Sequence, residues 1–297
     1  MIWVTWRQYR PQALTMIGVM VAVAAYGLVL GLWMRSSFAA RGLGPCLAGS
    51  GGAGCGAAIA AFSRQFTGGP TLPLTLVVFA IPPVLGAVTG APLLGQELER
   101  GTWQLAWTQT VPRTRWLVAK LGLVTAGLVA FGVALTAVMT WTWGPLDLVS
   151  IRLTLSPFNF EGVALTCSVL CGFALALLAG LLLRNTIGAM VAGYFAWDVP
   201  FVITMLLTGP SHLITATTTV SCAGAACASA SASSAPPATG HLGDMVTGVV
   251  RHGGQLVVSY VPASAFWPLQ LVTGGIYLAF ALAAAGAALW LLHHRAT

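Results

Sequence analysis

Charge is nearly absent from this sequence. Of 297 residues, 6% are charged, six of them are acidic, and lysine occurs once. An ordinary globular domain carries about a quarter charged residues, so this chain cannot clothe a soluble surface. A cytosolic enzyme, a disordered tail and a coiled coil are excluded together. The lone Lys120 is followed by Leu121, so no Walker A loop can form. HExxH, GxSxG and CxxC are also missing. His212, His241, His252, His293 and His294 have no carboxylate cluster around them. Catalysis, a bound metal and a cofactor on this chain are therefore not expected. The 13 Lys+Arg are scattered without an aromatic-interleaved basic stripe, which argues against nucleic acid.

What fills the chain instead is apolar: 57% of residues, with a mean hydropathy of +0.87. The apolar residues fall in six runs long enough to cross a bilayer, roughly 13–34, 72–95, 117–143, 161–183, 187–207 and 271–292. The expected fold is an all-α polytopic membrane protein, one transmembrane domain over 1–297. The first run is too long for a signal-peptide core and is expected to stay. An even number of spans puts both termini on one side. With the termini inside, Arg7, Arg10, Arg100, Arg113, Arg115, Lys120, Arg184 and Arg295 are cytosolic. Arg35, Arg41, Arg64, Arg152 and Arg251 are spread thinly outside, so the positive-inside rule favours cytosolic ends.

The outer loops, about 35–71, 144–160 and 208–270, hold most of the non-spanning mass. Ala/Ser-rich residues 221–240 are expected to be mobile. Residues 255–269 are apolar but too short to cross, and Pro262 and Pro268 interrupt them. They read as a re-entrant or interfacial segment. Cys46, Cys55, Cys222 and Cys227 fall outside, where oxidation is possible. Three connectivities are open, and close spacing favours Cys46–Cys55 with Cys222–Cys227. Cys167 and Cys171, one turn apart in span four, match no zinc pattern and read as small buried apolar residues.

Span two carries Pro82 and Pro83 side by side, which should kink or break it, and the freed carbonyls need partners. Gly27-x-x-x-Gly31 in span one and Gly86-x-x-x-Gly90 in span two permit close helix approach. Asp198, near the middle of span five, costs roughly 2.5–3.5 kcal/mol to insert. It reads either as a polar point on a substrate path or as a protonated acid bonded across helices. Arg184-Asn185-Thr186 alone joins spans four and five, which must form a tight hairpin.

The longest cytosolic loop, 96–116, is the most specific segment. Glu97 and Glu99 precede Arg100-Gly101, and Thr102 can cap a short helix starting at Trp103. Trp103, Ala106, Trp107 and Thr110 share one face of that helix, and Pro112 stops it. The face suits docking to a partner or lying on lipid. The pattern Glu97-x-Glu99-Arg100-Gly101-Thr102, then Leu105, Pro112, Arg113 and Lys120, resembles the loop between spans two and three of ABC-type exporter permeases. The Leu105 to Gln109 run and Pro262-Ala263-Ser264-x-Phe266-Trp267 are similar to a branch common in high-GC bacteria. The Arg113-Thr114-Arg115 ending departs from that family's commoner Ser-Arg.

The resemblance implies a division of labour. The chain would be the membrane subunit, paired with a second copy or a related permease. Two separate ATPases, which carry the ATP and Mg, would dock on Glu97, Glu99, Arg100, Gly101, Thr102, Trp103 and Trp107. Residues 1–12, with Trp3, Trp6, Arg7 and Arg10, would be the family's interfacial elbow helix on membrane lipid. Spans two and five would line the path, with Phe79, Pro82, Pro83, Phe195, Trp197 and Asp198 as its candidate residues. A hydrophobic or amphipathic substrate (drug, peptide or lipid) leaving across a bacterial cytoplasmic membrane is the implied cargo. Two other readings are an ion-coupled transporter using Asp198 and a membrane sensor or assembly subunit. The first lacks the usual repeats and intramembrane polar residues, and the second rests on a loop poor in binding anchors.

Overall fold

The computed structural model describes residues 2–48, 54–99, 113–149, 155–208, 216–221, 245–252 and 255–295. Its helices in chain order are α1 (Ile2–Ala40), α2 (Leu43–Leu47), α3 (Cys55–Phe66), α4 (Leu72–Glu99) and α5 (Arg113–Asp147). Then come α6 (Leu155–Phe160), α7 (Gly162–Leu183), α8 (Thr186–Ala196), α9 (Asp198–Thr208) and, after three strands, α10 (Phe266–Arg295). Among the described residues six segments are long and apolar enough to cross a membrane: Gln12–Ala40, Leu72–Leu93, Lys120–Asp147, Gly162–Leu183, Thr186–Thr208 and Ala263–Leu291. They correspond to the six apolar runs, and the chain is mostly helical.

Three features depart from expectation. Residues 2–12 do not form a separate elbow; they continue into α1 as one 39-residue helix, Pro11 included. At 1.5 Å per residue that helix is about 58 Å long, well beyond a hydrocarbon core. Residues 255–269, read from the sequence as a re-entrant or interfacial segment, hold a strand and the start of the last helix. Gln255–Val261 is β3, the centre of an antiparallel sheet in the order β1-β3-β2 with β1 (Ala216–Ser221) and β2 (Met245–His252). Gln-Leu-Val-Val-Ser-Tyr-Val is rich in β-branched residues, and two flanking strands satisfy its backbone. This small sheet is the exception to an all-α chain. Third, α4 runs unbroken through Pro82, Pro83 and Pro92, whereas span five is broken at Trp197. Pro200 cannot donate to Ala196, and the Trp197 N–H reaches no further back than the Tyr194 carbonyl.

Prolines inside helices leave carbonyls four residues earlier without a backbone donor. In two cases α1 supplies a side-chain replacement. Gln12 Nε2 donates to the Val88 carbonyl freed by Pro92, at 3.4 Å, and Arg35 Nη2 donates to the Trp141 carbonyl freed by Pro145, at 2.7 Å. Arg35 also lies 3.9 Å over the Trp141 ring. Replacing Arg35 by Leu should therefore cost about 1–3 kcal/mol through the orphaned carbonyl. A lowered thermal midpoint in detergent would register it, with Arg35→Lys recovering part.

The centre of the bundle is α7, most of whose residues are buried. Small residues let the backbones of α4 and α7 touch. A Cβ on Gly86 would overlap the backbone of Gly172, one on Gly90 would overlap the Phe173 carbonyl, and one on Gly180 would lie 2.8 Å from the Ala91 carbonyl. The Gly86-x-x-x-Gly90 pattern is thus used, against Gly172, Phe173 and Ala176 of α7, and Gly180 extends the contact to Ala91. Gly27 and Gly31 of α1 likewise face Thr142 and Trp141 of α5.

At the sheet-bearing end, Cys46 and Cys55 form a disulfide with Cα atoms 5.5 Å apart, tying α2 to α3. Phe62 and Phe66 of α3 are fully buried there beside Phe38 and Trp33. Cys222 and Cys227 lie outside the described residues. Cys167 and Cys171 are free and buried. Val261 at the end of β3 packs with Phe158, Phe266 and Leu269, which seats the sheet on α6 and α10.

Candidate functional site

Two places gather the residues singled out from the sequence. The first lies where α4 passes the break in span five. The missing donor of Pro200 lets the chain restart at Asp198, and this turns Trp197 inward, 3% exposed, while Phe195 stays outside at 60%. The Trp197 indole N–H donates to the Ser168 carbonyl of α7 at 3.3 Å. Its ring stacks on Phe201 (5.2 Å, 16°) and on Tyr277 of α10 (6.3 Å, 10°). Phe79 of α4 meets Trp197 and Phe201 edge-on at 5.7 and 5.1 Å. The Tyr277 hydroxyl and Thr204 Oγ1 are 3.4 Å apart. Three helices and the break in span five thus share one aromatic cluster.

Phe79, Pro82 and Trp197 line a cavity here together with Asn159, Ser168, Phe201 and Tyr277. Its volume is about 10 Å³, close to the minimum for one water. Pro83 is buried but is not among the lining residues. Phe195 and Asp198 do not join the cluster: both are exposed on the outer face of span five. Asp198 opens α9, where its carboxylate suits the positive end of the helix. Sequence reasoning missed Phe201 and Tyr277. Phe201 was within reach, since it comes one turn after Trp197 and shares its face.

The second place is the opposite end of the bundle. Glu99 is the last residue of α4, and its Oε2 accepts from the Thr186 N–H (3.1 Å) and the Thr186 hydroxyl (2.7 Å) at the start of α8. Lys120, 3% exposed, donates through Nζ to the Leu93 carbonyl at 2.9 Å, a cation near the negative end of α4. The tight turn between α7 and α8 is made by Arg184 in the left-handed conformation (φ 51°) and by Asn185, whose Oδ1 accepts from the Gly188 N–H at 3.0 Å. The ends of spans two and five and the start of span three therefore converge. Glu97 belongs to α4. Arg100, Gly101, Thr102, Trp103 and Trp107 lie outside the described residues. Among the described residues no group of His, Cys, Asp and Glu could hold a metal ion.

Six apolar spans, packed backbone to backbone, have the ends of spans two and five and the start of span three converging beside the longest cytosolic loop. The family model for ABC-2 membrane transporter related proteins matches residues 17–208, and the chain belongs to that family. It is a multi-pass membrane protein, the non-catalytic membrane subunit of an ABC transporter, of a kind that normally pairs with ABC ATPase subunits. No curated protein and no solved structure matches the chain.

Proposed function

We propose that this chain is one half of the membrane path of an ATP-driven exporter in a bacterial cytoplasmic membrane. It works with a second copy or a related permease and with two ATPases docked on the 96–116 loop. The observation that carries the reading is the tight contact between spans two and five beside the open flank of span five; the larger cavity of about 210 Å³ lies elsewhere, against Gln12, Met16, Thr89 and Val124. The cavity between α4 and α9 is about 10 Å³, too small for a drug, peptide or lipid. Meanwhile Val191, Phe195, Asp198, Val199 and Leu206 of span five are all exposed. A carboxylate left on a membrane-embedded flank is costly against lipid and belongs against protein or water. The path then runs between two permease chains, along that flank, and suits a hydrophobic or amphipathic molecule.

Charge and redox chemistry support cytosolic termini. The end bearing Arg10, Lys120 and Arg184 faces the cytosol by the positive-inside rule. The Cys46–Cys55 disulfide is at the other end, on the oxidising side. ATP closes the ATPases, the loop moves, and the motion is carried along spans two and five to the joint at Trp197. Gly101→Pro, reconstituted with the cognate ATPase, should insert normally yet lose permease-stimulated ATP hydrolysis by about tenfold or more. Hydrolysis equal to that of the unmodified chain would remove the loop from the mechanism.

A further inference from the structure

The 96–116 loop is expected to receive the ATPase, and Glu99 stands in the middle of its motif. Its carboxylate, however, is already engaged inside the chain. The first N–H groups of a helix have no partner within it. In α8, Asn185 takes the Gly188 N–H and Glu99, from another span, takes the Thr186 N–H and hydroxyl through one oxygen, Oε2. These are charge-assisted bonds at the positive end of a helix dipole.

Beyond Thr186 the chain has little slack. Only Arg184 and Asn185 separate Thr186 from α7, and a Cβ on Gly193 would lie 2.7 Å from Ala176 Cα and Cβ, so α8 sits backbone to backbone on α7. Eleven residues on, about 16 Å along the helix axis, α8 ends at Trp197 in the aromatic cluster. A pull on the end of α4 thus reaches the cluster through α8 as well as through α4 itself.

We propose that Glu99 is a positioning residue, a tether that makes the end of span two and the start of span five move as one body, and not a contact to the ATPase. The proposal rests on the transporter reading above and names how the loop's motion is delivered. Because the tether persists through the cycle, holding it covalently is harmless and cutting it is not.

The test uses the full chain reconstituted with its ATPase. Glu99→Gln and Thr186→Val should each keep the ATPase bound while stimulated hydrolysis falls about tenfold. Thr186→Ser, which keeps both donors, should restore it. The double variant should be no worse than the poorer single one, because both weaken the same link, Glu99→Gln by removing its charge and Thr186→Val by removing its hydroxyl. Glu99→Cys with Thr186→Cys, once oxidised, should hydrolyse ATP far better than either Cys variant alone. If Glu99→Gln sheds the ATPase, Glu99 is a docking contact: the tether falls and the transporter reading stands. Hydrolysis unchanged in both single variants, or abolished by the crosslink, also overturns it. If the unmodified chain binds no ATPase, the transporter reading fails first. Hydrogen exchange then judges the link: the Thr186 amide loses protection in Glu99→Ala if the tether exists and keeps it if not.

Discussion

Gly172→Val leaves little folded chain in the membrane, whereas Gly275→Val leaves the normal amount. At Gly172 a Cβ would stand 2.6 Å from the Pro82 carbonyl oxygen, while at Gly275 it would meet nothing within 4 Å. The obstacle at Gly172 is backbone and cannot rotate away, and the Pro82-Pro83 pair gives α4 a fixed shape there. Forced overpacking costs roughly 1–3 kcal/mol and occasionally more. Here it also separates the longest run of contact between α4 and α7, because Gly86, Gly90 and Gly180 lose their partners with it. Without a hydrophobic drive between helices in lipid, that packing is what holds the bundle together. Size-exclusion profiles of the fluorescently tagged chain in mild detergent check it. Equal profiles for the two variants would mean that α4 and α7 do not touch backbone to backbone.

The second large effect belongs to Trp197. Trp197→Ala removes two stacked contacts, one edge contact and the hydrogen bond to Ser168. Deleting a buried Trp costs about 3–5 kcal/mol, and here the loss falls on the joint between α8 and α9. A large drop in thermal midpoint is expected, with coupling to ATP hydrolysis lost even in the fraction that folds. Trp197→Phe keeps the stack and loses only the hydrogen bond, about 1 kcal/mol. If alanine and phenylalanine behave alike, the cluster is not the joint.

Much of this architecture was legible in the residues, for a physical reason. A segment that crosses lipid must satisfy its backbone internally and be apolar all round, so spans show as composition. The runs at 72–95 and 161–183 accordingly lie within two residues of the segments Leu72–Leu93 and Gly162–Leu183. Helix continuity was harder to read, because it depends on donors from elsewhere. Pro92 and Pro145 are tolerated where Gln12 and Arg35 of α1 reach the freed carbonyls. Pro200 breaks its span although it looks no more disruptive than the Pro82-Pro83 pair. The segment 255–269 combined a strand and a helix start in one apolar run, and its pairing partners are short: β1 is Thr-rich and β2 ends in Arg251-His252, so neither stands out by hydropathy. Glu99 was visible as part of a motif, but Thr186 was not, since nothing local links positions so far apart. The loop itself, Arg100 to Trp107, is known from its sequence pattern alone.

The central claim is that this chain transports only together with a separate ATPase. It is tested most directly by purifying the tagged chain gently from its native membranes and identifying by mass spectrometry what stays bound. The account predicts a stoichiometric partner carrying a Walker A motif, together with a second permease chain. No ATPase in the eluate, even after crosslinking from a photoreactive residue at position 103, would contradict it.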